Sequence, residues 1–200
     1  MTLRRLHRLS ALLLAAFIAM HLANHVAGFW GQESHRTIQQ VLGSLYRHPV
    51  IEPFLLALIT VQMATGLRMA LPRLRHLIKR PNWQRAQIAA GLYLALFLAI
   101  HIGAVMAARF QGAETDLAFA ATAFQAGGLW PLLFTAYYGL AVLALATHLA
   151  AAIAAKHPTG ARLLLGAGFA LSIALPLLLS GKVTPISIPP AQIAAFPLMP

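Results

Sequence analysis

The stretch LSALLLAAFIAMHLANHVAGFW, residues 9–30, decides how the rest of the chain is interpreted. It contains no Asp, Glu, Lys or Arg, and an apolar run of about twenty residues is the length of helix that crosses about 30 Å of hydrocarbon. Because backbone polar groups in lipid must be satisfied within their own segment, we expect a helix here. The stretch also contains two histidines, His21 and His25, which are costly residues at such a depth.

Four more apolar blocks of similar length follow along the chain. Hydrophobic residues make up 60% of the 200 residues and charged residues only 10%, with a mean hydropathy of +0.73, whereas a soluble domain carries about a quarter of charged residues. The period-two alternation of a membrane barrel is absent. The sequence therefore predicts an all-α integral membrane protein, a bundle of five transmembrane helices at residues 9–29, 50–71, 86–108, 131–155 and 161–180.

The basic residues predict the orientation of this bundle. With the N-terminus inside, eleven of the 15 Lys and Arg residues fall in inner segments, and all 4 acidic residues fall outside, as the positive-inside rule requires. Five spans then leave the C-terminus outside. We interpret the net charge of +11 as a topology signal that also suits anionic lipid, because no nucleic-acid-binding motif accompanies it. The expected location is the bacterial inner (cytoplasmic) membrane.

The segments between and after the spans predict little further structure. We expect one domain over residues 1–180 and a proline-rich tail over residues 181–200, extended on the outer face. Spaced apolar residues predict a short surface helix within residues 30–49 and allow another, amphipathic one within residues 109–130. Pro176 predicts a kink in the fifth span. The lack of cysteine excludes disulfides, an iron–sulfur cluster held by this chain, and haem attached through C-x-x-C-H.

The nine histidines divide by depth. Five are expected to be solvated or interfacial side chains. Four fall within predicted spans on three different helices, and an ionisable residue inside a membrane is a functional candidate by default. Since few acids exist to pair with them, they favour a shared ligand, and haem iron commonly takes imidazole ligands. The surface set is His7, His35, His48, His76 and His157, and the membrane set is His21, His25, His101 and His148.

Counting along each helix at about 1.5 Å per residue sharpens this division. His21 and His101 fall at similar heights in the outer half of the membrane, so they form a candidate axial pair for haem b, with His25 as the reserve ligand. Gly91 lies ten residues before His101, where a missing side chain admits a flat macrocycle or a neighbouring helix. Zinc, or purely structural histidines, are the alternatives, although no carboxylate or cysteine at this depth completes a zinc site.

A second pair lies in the inner half, where His148 and Gln62 share a height. Three arrangements of this pair stay open. The two side chains form a plain hydrogen bond, or His148 alone ligates a five-coordinate haem, or a quinone head group lies between them. The last is chemically reasonable because a glutamine amide and a neutral imidazole each offer a donor and an acceptor.

Five pieces of the chain resemble, in their order and spacing, the five-helix cytochrome b membrane anchor of succinate dehydrogenase and fumarate reductase. The resemblance covers residues 3–180. It implies an outer haem ligated by His21 and His101, and an inner haem whose ligand positions fall on Gln62 and His148. Gln62 departs from the family pattern, because an amide is a poor iron ligand. The pieces are RRLH (4–7), HLANH (21–25), HPVIEPFLLALITVQMATGL (48–67), NWQRAQIAAGLYLALFLAIH (82–101) and ATHLAAA (146–152).

The resemblance also implies a function. The chain is expected to be a haem-b membrane subunit that passes electrons between a redox partner and the quinone pool, with flavoprotein and iron–sulfur subunits on its basic inner face. It contains no flavin, nucleotide or iron–sulfur motif, so we expect an anchor and electron carrier and not a dehydrogenase by itself. The alternatives are a stand-alone cytochrome b with another redox partner, and a haem-free structural or transport protein of the same fold.

Overall fold

The computed structural model describes residues 2–194, and no strand occurs in that range. Five of its helical segments are long and apolar enough to cross a membrane, which confirms the five predicted helices. Met1 and residues 195–200, the end of the predicted tail, lie outside the described residues. The five segments are Leu3–Trp30, Ile51–Lys79, Asn82–Phe110, Trp130–Ile153 and Pro158–Leu179.

The chain forms two compact units, one up to Arg75 and one from His76 onward. The first contains helices α1–α3 and the second α4–α8. The single domain expected over residues 1–180 stays a prediction. The helices are α1 (Leu3–Ala27), α2 (Gln32–Tyr46), α3 (Ile51–Ala70), α4 (Asn82–Phe110), α5 (Leu117–Thr122), α6 (Trp130–Ile153), α7 (Pro158–Leu179) and α8 (Pro190–Ala194), with 3₁₀ segments at Gly28–Trp30 and Leu71–Lys79.

Burial along the long helices is inverted relative to a water-soluble protein. Large apolar side chains point outward, with Leu12 and Leu163 about 70% exposed (70% and 71%). Polar side chains such as Ser10, Asn24 and Thr65 are buried. Water-soluble domains bury such leucines and expose such polar groups. The pattern suits helices whose outer surface faces hydrocarbon and whose polar groups find partners inside.

In the first unit the chain leaves α1, returns along it as α2, and then forms α3, which packs against α1. The return is made at Gly31, whose φ of 114° is accessible mainly to glycine. The helix expected within residues 30–49 is present as α2. The apolar residues from which α2 was predicted do not form its buried face: Val41 and Leu45 are exposed, whereas His35 and Gly43 are buried.

The second unit is built on α6, which packs against both α4 and α7. Close approach to α7 depends on Gly168, where an added Cβ would overlap the methyl group of Ala146. Helix α7 continues through Pro176. Because Pro176 has no N–H, the Ser172 carbonyl lacks its usual helical donor. A Cβ added to Gly139 would lie 3.0 Å from that carbonyl oxygen. Small residues thus let helix backbones approach closely, as in other membrane bundles.

Helix α5 and the tail form a small core at one end of the second unit. The sequence allowed a short amphipathic helix within residues 109–130, and α5 lies there, but most of it is buried: Leu117, Ala118 and Ala121 are almost fully inaccessible. Ile186 of the tail packs into the same cluster. Beyond it, the Gln192 side-chain amide donates to Asp116 Oδ1 at 2.9 Å. The described part of the tail is therefore folded onto α5 and ends in α8, which corrects the expectation of a fully extended tail.

Candidate functional site

At one end of α1 in the first unit, three imidazoles lie in a row. The ring centroids of His21 and His25 are 4.8 Å apart at a right angle, and those of His25 and His35 are 5.8 Å apart. Asn24 lies 3.2 Å, Nδ2 to Nε2, from His35. Because an amide nitrogen only donates, His35 accepts at Nε2.

The structure corrects the predicted position of His35. It was assigned to the surface set of solvated or interfacial side chains, yet only 2% of it is exposed. The signal in the sequence was Gly31, the residue at which the chain turns so that α2 returns along α1. Among residues 2–194, no three His, Cys, Asp or Glu side chains are grouped so as to hold a metal ion. The rings of His21, His25 and His35 therefore lie next to one another, but they are not arranged to bind one metal ion together.

The other polar cluster of the first unit joins α1 to α3 through the Gln62 amide. Ser10 Oγ donates to Gln62 Oε1, and Gln62 Nε2 lies 3.2 Å from His7 Nε2. His7 Nδ1 lies 2.9 Å from Thr65 Oγ1, and that hydroxyl donates to the Val61 carbonyl at 2.7 Å.

The donors and acceptors of this cluster fix one direction of hydrogen bonding. The Thr65 hydroxyl has one proton, which goes to its own helix, so it accepts from His7 Nδ1–H. His7 Nε2 then accepts from the Gln62 amide. His7, expected to be a solvated or interfacial side chain, is half-buried and belongs to this network. Gln62 has partners at both ends of its amide within its own unit.

In the second unit, His101 lies among aromatic rings. Phe97, one turn earlier on α4, is stacked on it with centroids 5.2 Å apart and an interplanar angle of 11°. Tyr138 on α6 meets its edge, with Oη 3.4 Å from His101 Nδ1. The ring is thus held in one orientation by a face and an edge contact.

His148 on α6 is held by the backbone of α4. Its Nδ1 lies 3.0 Å from the Gln87 carbonyl oxygen. Since a carbonyl only accepts, Nδ1 carries the proton and Nε2 of the neutral ring carries the lone pair. A Cβ added to Gly91 would lie 3.0 Å from His148 Cε1, so this glycine makes room for the imidazole itself. Sequence reasoning singled out both residues but not their contact.

The candidate residues therefore fall in two sets. The first unit contains His21, His25 and Gln62, and the second contains His101, Gly91 and His148. The pairings of His21 with His101 and of Gln62 with His148 each take one residue from each unit and stay predictions. What the structure adds is the local environment of each ring.

The surroundings of His101 and His148 fit a haem ligand. Each ring meets the facing helix through Nδ1, and a ligating histidine usually engages its other ring nitrogen with a carbonyl, carboxylate or similar group that orients it. Nε2 is then the nitrogen suited to an iron. No family model, curated protein or solved structure matches the chain.

Proposed function

We propose that this chain is a haem-b-binding integral membrane subunit that carries electrons between a redox partner and the quinone pool, similar to the anchor of succinate:quinone oxidoreductase. One observation carries the proposal: His101 and His148 are each held through Nδ1 across the α4–α6 packing, by Tyr138 and Gln87. This is the arrangement that orients a ligating imidazole and leaves Nε2 as the nitrogen that would meet the iron.

Three histidines would hold haem in this proposal. His21 and His101 are the ligands of one haem, and His148 is the candidate ligand of a second. Haem supplies one-electron transfer, with a potential set by its axial ligands and their hydrogen bonds. The protein residues would position the imidazoles, and the Gln87 carbonyl would keep the proton of His148 on Nδ1.

Histidine variants test the ligand assignment. His21→Ala and His101→Ala should each abolish the low-spin reduced-minus-oxidised spectrum, because each removes an axial ligand. His48→Ala and His157→Ala are matched controls, since both residues are exposed, and they should retain the spectrum. If the variants of His21 and His101 both keep a full spectrum, the ligand assignment is wrong.

A haem-free protein is the second candidate, and a specific observation favours it. The bond from His148 to the Gln87 carbonyl also satisfies a structural histidine, as buried polar groups require. The two functions differ in one result: a structural histidine leaves the purified protein without haem absorption.

Membrane insertion and orientation belong to the same proposal. The apolar outward faces support insertion, and the excess of basic residues on one side supports an N-terminus inside. Reporter fusions at the two ends should show the N-terminus in the cytoplasm and the C-terminus outside. The reverse result would remove the inner face as a docking surface.

Flavoprotein and iron–sulfur subunits are the proposed partners on this inner face. Arg75 and Lys79 are exposed there and Arg73 is half-buried. Reversing these three charges should release co-purifying soluble subunits while insertion stays intact. Reversing Arg47 and Lys182, exposed residues of the predicted outer side, should not. If no soluble protein co-purifies from native membranes in gentle detergent, a stand-alone cytochrome b becomes the better description.

A further inference from the structure

The orientation of His101 depends on a residue of the facing helix. Tyr138 meets the imidazole edge-on, with ring centroids 5.9 Å apart at 85°. It is itself packed against Phe97, Phe124 and Phe134, with centroids 5.5 to 6.0 Å apart. A tyrosine in such a cluster has little freedom, so its hydroxyl is a fixed group beside His101 Nδ1.

The hydroxyl differs from the carbonyl that holds His148. A carbonyl only accepts, whereas a phenol either donates or accepts. The contact of 3.4 Å therefore suits both neutral tautomers of His101. When Nε2 coordinates iron, Nδ1 must carry the proton, and the Tyr138 oxygen then accepts from it. The Gln87 carbonyl therefore fixes one tautomer of His148. The Tyr138 hydroxyl can donate to His101 Nδ1 or accept from it, according to which tautomer of His101 is present.

We propose that Tyr138 is the positioning residue of His101 and tunes its strength as an iron ligand. The proposal rests on the proposed haem-binding function. A hydrogen bond accepted from Nδ1–H makes the imidazole a stronger electron donor. A stronger donor stabilises the ferric state, which lowers the midpoint potential. The long distance predicts a weak bond and hence a modest effect.

The matched pair of variants is Tyr138→Phe and Tyr137→Phe. The first removes the hydroxyl at His101 and keeps the ring contacts. The second removes a neighbouring hydroxyl, which donates to the Phe97 carbonyl at 3.1 Å. Redox titration of the purified haem protein should show full haem content in both variants and a midpoint potential raised only in Tyr138→Phe.

A readout without haem keeps the inference independent of electron transfer. In haem-free protein labelled with ¹⁵N-histidine, Tyr138→Phe should shift the ring-nitrogen resonances of His101, and Tyr137→Phe should leave them in place. Unchanged resonances together with an unchanged potential in Tyr138→Phe would overturn the role of Tyr138 alone. A wild-type protein that never binds haem would instead overturn the proposed function.

Discussion

Replacing Gly91 by alanine probes the α4–α6 contact most directly. The new Cβ would lie 3.0 Å from His148 Cε1 and 3.1 Å from Nδ1, about half an ångström inside the usual contact distance of about 3.5 Å. The imidazole cannot simply turn away, because Nδ1 is bonded to the Gln87 carbonyl, four residues earlier on the same helix as Gly91.

The magnitude follows from opposing effects. Overpacking costs about 1–3 kcal/mol, and weakening the hydrogen bond costs about 0.5–1.5 kcal/mol. Alanine in place of glycine stabilises the helix by about 1 kcal/mol through its higher helix propensity. We therefore expect a net loss of about 0.5–3.5 kcal/mol, which lowers the midpoint of thermal unfolding by about 2–4 °C per kcal/mol for a chain of this size.

The control is Gly103→Ala on the same helix, because a Cβ there meets nothing within 4 Å. It should be neutral or stabilising. Thermal unfolding in one detergent compares both variants with wild type, and the ¹⁵N resonances of His148 report the ring. If Gly91→Ala matches Gly103→Ala in stability and leaves those resonances unshifted, the described contact is wrong.

Three further variants test the other contacts. Gln62→Leu should cost about 0.5–1.5 kcal/mol, the usual net contribution of a hydrogen bond, because it removes the amide contacts to Ser10 Oγ and His7 Nε2, whereas Thr60→Val, at an exposed residue of the same helix, should change thermal stability little. Gln62→His should raise haem content from about one towards two per chain if the inner site still admits haem, and an unchanged count removes that site from the proposal. Gly168→Ala should lower thermal stability because its Cβ overlaps Ala146, while Gly166→Ala, whose Cβ meets nothing within 4 Å, should not; equal stabilities would contradict the close α6–α7 packing.

Much of the helical framework could be predicted from the sequence. A run such as residues 9–30 has one solution in hydrocarbon, so composition and length alone locate the spans. The orientation of α2 could not be predicted. Its apolar residues indicate one buried face, whereas the turn at Gly31 places a different face against α1. The burial of α5 could not be predicted either, since the sequence alone did not show that Ile186 of the tail would pack against Leu117 and Ala118.

The candidate residues were found by depth, and their partners were missed. Depth follows from counting, which is why His101 and His148 could be named. Their contacts depend on helix rotation, which decides that Tyr138 and the Gln87 carbonyl meet the rings. Gln62 shows the limit of counting: its partners in α1 come from packing within the first unit, which a shared height with another residue does not reveal.

The pyridine haemochrome of the purified protein, with haem counted per chain, tests the central claim most directly. The proposal predicts haem b at about one per chain in wild type, and its loss in His101→Ala with the chain still folded. A well-folded wild-type protein from haem-replete cells that contains no haem would contradict it, and His21, His101 and His148 would then be structural histidines of an α-helical bundle.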